Sequence, residues 1–164
     1  MKRLLILGAL LAASVSAAPL GSAWVALDEF IGGPGNFFAT SFTATVSGVL
    51  QVTDLYVVGD EYEVYVNGVL KLTTPDLPDY VGLGVGAFDD PPFTTDPNVA
   101  WSRAEFSKGS VWGILVGDLI EIKAISIPAG FADNTVAARI IPEPGTYALL
   151  AAGLAAIAAI RRKK

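Results

Sequence analysis

Alternation of apolar and polar residues through the middle of the chain is the feature that most limits what it can fold into. Phe42, Ala44 and Val46 alternate with Thr43, Thr45 and Ser47, and Leu50 and Val52 with Gln51 and Thr53. Tyr62, Val64 and Val66 alternate with Glu63, Tyr65 and Asn67, and Ile120, Ile122 and Ala124 with Glu121, Lys123 and Ile125. A period of two sends successive side chains to opposite faces, so each segment has one face for a core and one for solvent. The Val, Ile, Thr and Tyr residues in these segments suit a pleated surface. Between residues 18 and 141 no apolar stripe recurs at the 3.6-residue period of a helix. A parallel βαβ fold would therefore lack its crossover helix.

Turn residues fall between these segments at Gly59-Asp60, Asn67-Gly68, residues 76–79 with their two prolines, and Gly117-Asp118. Asn67-Gly68 is the strongest of them, because both central residues of a type I′ turn need positive φ. It predicts a hairpin joining residues 61–66 to 69–74. Short strands at this spacing predict an all-β domain, an antiparallel β-sandwich of jelly-roll or Greek-key type, with a closed barrel as the alternative. Gly82, Gly84 and Gly86 read as a tight, closely packed strand. A phosphate loop would need a helix after them, and the pattern offers none.

The two ends follow different rules. Lys2 and Arg3 precede an apolar run over residues 4–13, and Val15-Ser16-Ala17 supplies the small residues of a signal-peptidase site. Cleavage there makes residues 1–17 a signal peptide and Ala18 the first mature residue. At the other end Pro142-Glu143-Pro144 leads into an apolar, alanine-rich run over residues 145–160, followed by Arg161, Arg162, Lys163 and Lys164. As a helix that run reaches about 24 Å at 1.5 Å per residue, just short of the usual membrane span of about 17–25 residues. Its basic end should stay cytoplasmic, leaving residues 18–141 outside as one exported domain.

Residues 142–164, with Ile141 before them, resemble the PEP-CTERM sorting signal of Gram-negative bacteria that produce exopolysaccharide. The resemblance lies in the Pro142-Glu143-Pro144 core, Thr146, the Leu149-Leu150 pair, the Gly153-Leu154 step and the basic end. It implies recognition by an exosortase, a membrane cysteine protease. It also implies removal of the short transmembrane helix and passage from the inner membrane to the cell envelope or extracellular matrix. Residues 52–69 loosely resemble a hairpin found in exported β-sandwich proteins with this same signal, which bears on fold alone.

Composition excludes several chemistries. Between residues 18 and 141, five Lys and Arg stand against fifteen Asp and Glu, a net charge of −10. Such a surface repels phosphate backbones, so nucleic acid is not an expected partner. Neutral exopolysaccharide and divalent cations fit better. With no cysteine and no histidine, a Ser-His-Asp triad, a Cys nucleophile and the usual zinc sites cannot be built. No disulfide contributes to stability.

Residues 89–98 hold Asp89, Asp90 and Asp96 with Asn98 and two threonines, hard oxygen donors of the type calcium takes. The spacing lacks the order of an EF-hand loop. Asp54 and Asp60, flanking a strand, read as turn residues. A carboxylate-dependent glycosidase would need two acids set about 5–5.5 or 6.5–9.5 Å apart. Asp28-Glu29, Asp60-Glu61 and Asp89-Asp90 offer pairs that nothing in the spacing selects. Most of the Trp and Tyr residues are expected in the core. Tyr65, on the polar side of its strand, is the candidate ring for sugar stacking. The reading is a non-catalytic envelope or matrix protein without a cofactor, calcium aside, and the alternative is a secreted glycosidase.

Overall fold

The alternating segments fold as strands. A computed structural model of the chain describes residues 17–30, 39–90, 92–128, 130–131, 133–143, 145, 149 and 152–154. The expected signal peptide, but for Ala17, lies outside these residues, as do Pro144, Arg161, Arg162 and most of the apolar tail. Eleven strands and two short helices run in the order β1 (Ala18–Leu20), β2 (Val25–Phe30), β3 (Ala39–Ala44), β4 (Gly48–Asp54), β5 (Tyr56–Val57), β6 (Glu61–Val66), β7 (Val69–Thr73), α1 (Tyr80–Leu83), β8 (Phe93–Thr94), α2 (Pro97–Ser102), β9 (Lys108–Ile114), β10 (Leu119–Ser126) and β11 (Asp133–Ile141). Among the described residues up to Ile141 the protein is all-β apart from those two helices, and neither helix exceeds six residues.

One sheet has the order β1-β3-β10-β6-β7 and another β2-β11-β4-β9, while β5 and β8 form a small separate ribbon. Tyr62, Val64, Ile120 and Ile122 of the first sheet share one buried cluster with Leu50, Val52, Val111 and Ile140 of the second. The period-two pattern is thus the pattern of that shared core. Phe42 is completely buried in it, and removing such a ring costs about 3–5 kcal/mol. The opposite face of β4 and β11 is covered too. Ala137, Leu55 and Val58 pack with Phe106 and with Ala100 of α2 in a second, smaller cluster. Double-sided cover explains why β4 is buried at six of its seven positions.

The Asn67-Gly68 hairpin forms as expected, with φ of 51° and 76° at the two turn residues and β6 paired antiparallel to β7. Three expectations need correction. β1 pairs with β3 in parallel, because the chain crosses to the other sheet through β2 between them. The glycine run is no strand: Gly82 lies in α1, and Gly84, at φ 73°, caps that helix. Most of the Trp and Tyr rings lie outside the shared core. Tyr62 fills it, whereas Trp112 is exposed and Trp24 meets Trp101 at 6.0 Å beside α2.

Strand direction gives the two-sheet unit two distinct ends. β11 finishes where β4 begins, with Ile141 opposite Val49, and Gly48 at the start of β4 faces Ile114 at the finish of β9. The β6–β7 and β9–β10 turns lie at this same exit end, since Ile120 is opposite Val66. The end of β4, the start of β6 and the start of β11 lie at the other.

Candidate functional site

At the end away from the chain exit, β4 stops at Asp54 and the backbone turns sharply. Tyr56 takes φ 68°, a left-handed conformation that costs a bulky residue on the order of 1–3 kcal/mol. That turn lets β5 pair with β8, Tyr56 opposite Thr94 and Val57 opposite Phe93. The Tyr56 and Phe93 rings then stack at 6.2 Å, Phe88 meets Phe93 edge-on at 5.5 Å, and Phe131 meets Phe88 at 6.3 Å. These four rings, with Leu55, Val57 and Pro128, wall a pocket of about 270 Å³. Asp60 and Thr135 are the polar residues that reach it.

Beneath the rings lies a buried acid cluster. Asp54 is wholly buried and Asp60 is 3% exposed. One Asp54 oxygen, Oδ2, accepts the N–H groups of Gly59 and Asp60 at 3.1 and 3.3 Å. The other, Oδ1, is buried with no hydrogen-bond partner among the described residues. Burial, and after it the charge of Asp60, pushes the Asp54 carboxyl well above the usual carboxylate range. The Tyr62 hydroxyl lies 2.8 Å from Asp60 Oδ2 and 3.0 Å from the Thr135 carbonyl. With one hydrogen, it donates to only one of them at a time. Burial and the two nearby carboxylates push that phenol up. The Tyr62 backbone N–H donates to Thr74 Oγ1, which lies 2.8 Å from Ser107 Oγ. The cluster is therefore tied to the residue that follows β7 and the residue that precedes β9.

Asp54 and Asp60 are thus not ordinary turn residues; the fold turns both inward. The readable sign was an apolar run, Leu55 to Val58, held between two acids, but direction into the core is not written in one dimension. The other candidates scatter. Asp89 accepts the Gly86 N–H at 2.6 Å, Asp90 pairs with Arg103 at 2.6 Å, and Asp96 caps α2 by accepting the Asn98 N–H at 2.8 Å. Among the described residues no three Asp or Glu side chains form a group able to hold a metal. Tyr65 lies on the outer face of β6 and donates to Glu63 Oε2 at 2.7 Å, over a shallow depression with Gly68, Glu121 and Lys123. Asp60 and Glu61 point apart, one buried and one part-exposed. Nothing is described of the Asp28 and Glu29 side chains.

The second site is the exit of the chain. The Ile140 N–H donates to the Gly21 carbonyl at 2.8 Å. A Cβ on Gly48 would lie 2.1 Å from the Ile141 carbonyl oxygen and 2.9 Å from Pro142 Cα. Only glycine leaves room for the chain here. The Pro-Glu-Pro segment therefore starts directly from a paired strand, with Pro142 and Glu143 half-buried. Residues 141–163 match the family model of the PEP-CTERM protein-sorting motif. The chain carries a PEP-CTERM sorting motif. That motif implies an exosortase substrate exported across the membrane to the cell surface. No curated protein and no solved structure matches the chain significantly. Within the PEP-CTERM segment, residues 145, 149 and 152–154 are helical. Among the described residues no helix is long and apolar enough to cross a membrane.

Proposed function

We propose that this chain is a β-sandwich cargo delivered to the cell surface, where it binds a neutral matrix polysaccharide through the ring-walled pocket without cleaving it. On this reading signal peptidase removes residues 1–17, the tail holds the protein briefly in the inner membrane, and exosortase releases it near Pro142-Glu143-Pro144. The observation that carries the reading is the absence of any spacer. The PEP-CTERM match begins at Ile141, the last residue of β11, so the address is joined directly to the two-sheet unit it delivers. Rings beside a carboxylate suit a sugar, with C–H faces stacking on Phe88 or Phe93 and a hydroxyl donating to Asp60. The acid pair does not suit hydrolysis, which needs two carboxyl groups flanking the bond, because Asp54 is wholly buried and does not line the pocket. The 89–98 loop is read as structural, since a calcium ion would have to draw Asp89, Asp90 and Asp96 from separate partners.

One experiment tests this reading. Protein recovered from the cell-surface matrix should have an intact mass lacking the tail and should co-sediment with the matrix polysaccharide without shortening it. Phe88→Ala should weaken that co-sedimentation several-fold. Surface protein that still carries Lys164, or polysaccharide that is cut, overturns it.

A further inference from the structure

Large apolar side chains left in water are concentrated at the two ends of the domain, and the exit end also carries the acidic residues Asp118 and Glu143. On the β6–β7 hairpin, Val69 and Leu70 are exposed. On β9 and its turn into β10, Trp112, Leu115 and Val116 are 74%, 62% and 64% exposed. The two turns are fastened together. Asp118 accepts from the Leu115 N–H at 2.8 Å and from Asn67 Nδ2 at 2.9 Å, while Asn67 Oδ1 accepts the Leu119 N–H at 3.0 Å. Asp118 is the one charged residue in residues 112–119 and 67–70, and it is spent on that fastening. The opposite end carries Asp76, Asp79, Asp89, Asp90, Asp96 and Glu105.

The chain leaves from this same end. Only Pro142, Glu143 and Pro144 separate the paired Ile141 from the apolar run that starts at residue 145. Fully extended, three residues span at most about 11 Å, and the headgroup region on each side of the hydrocarbon is itself about 5–8 Å deep. A tail seated in the membrane therefore brings these turns down to the headgroups.

We propose that, before release, the exit end of the domain docks on the outer face of the inner membrane, with Trp112, Leu115, Val116 and Val69 seated among the lipid headgroups. This rests on the sorting reading only in that the tail must enter the bilayer. Trp favours that interfacial depth. The acidic far end points away from anionic lipid, which is the orientation charge repulsion selects. Docked this way, the motif is held at the membrane surface in one orientation.

The chain has no cysteine, so a single Val116→Cys can carry a fluorescent label, with Val81→Cys on the far end as control. The full chain is reconstituted in phosphatidylethanolamine–phosphatidylglycerol vesicles and probed with headgroup-spin-labelled lipid and with iodide. The label at 116 should be quenched by the lipid several-fold more than that at 81 and be shielded from iodide. Trp112→Ser with Leu115→Ser should reverse both effects while the tail resists alkaline extraction. A label at 116 open to iodide in a chain that resists extraction overturns the docking and leaves the sorting reading standing. Unchanged quenching in the double serine variant also overturns docking, because tethering alone then explains it. Shielding that vanishes on dilution into excess lipid assigns the face to a second copy and overturns it too. A chain stripped by alkali overturns both readings.

Discussion

Asp54 is the residue whose burden is easiest to measure. It is a wholly buried carboxyl with one oxygen unpartnered among the described residues, beside the buried Asp60, and its pKa is raised well above the ordinary 3.8 by burial first and Asp60 second. The folded protein therefore keeps this proton at pH values where the unfolded chain has released it. Its contribution to stability is complete below the ordinary carboxylate pKa and is lost as pH rises through the folded value. Thermal unfolding should show a melting temperature that falls as pH rises above the ordinary carboxylate range. Asp54→Asn removes the charge and keeps an oxygen for the Gly59 and Asp60 N–H groups. It should flatten that slope and raise Tm by a few degrees at its alkaline end. Asp54→Ala abandons both donors and should destabilise it by about 1–3 kcal/mol.

At the scale of elements, the Asn67-Gly68 hairpin tests how far the turn chemistry decides the fold. Gly68 sits at φ 76° in open space, so a larger side chain meets no neighbour and the cost is backbone strain alone. Gly68→Val should lower stability by about 1–3 kcal/mol, whereas Gly68→Asn, which tolerates positive φ, should cost far less. A Tm for Gly68→Val equal to the parent would show that the hairpin is held by packing alone. This hairpin, and the buried faces of β4, β6 and β10, were legible because both rest on local rules, positive φ at two residues and a period of two. The β5–β8 ribbon and the cover of α2 were not. Two-residue strands leave no periodicity, and Pro97–Ser102 is too short for a helical stripe. Their partners, Phe93 to Tyr56 and Ala100 to Ala137, are far apart in sequence. The ring-walled pocket was missed for the same reason, since its rings come from residues 56, 88, 93 and 131. The sorting motif was fully legible, because it is a contiguous stretch read by another protein before its own fold matters.

The molecule as a whole has a direction. The acid cluster and pocket occupy one end and the exposed apolar turns and the exit of the chain the other. The junction between the two-sheet domain and the motif is unusually tight. Ile141 is paired to Val49, Ile140 donates to Gly21, and the Ile141 carbonyl lies where a Gly48 Cβ would be. On the proposed processing near Pro142-Glu143-Pro144, the protease must work flush against a folded domain, or wait for the end of β11 to fray. Local opening of a strand end is fast but costs free energy, and any rate that depends on it falls by the fraction of time the strand is closed. Inserting Gly-Ser-Gly-Ser between Ile141 and Pro142 should therefore speed the appearance of the tail-less form in a pulse-chase, with no change in Tm. Gly48→Ala should speed it as well by forcing the Ile141 carbonyl away, but with a loss of stability, because the neighbour it meets is backbone and cannot swing aside. If the inserted spacer leaves the processing rate unchanged, the motif is already fully presented and the close packing at Gly48 serves the fold alone.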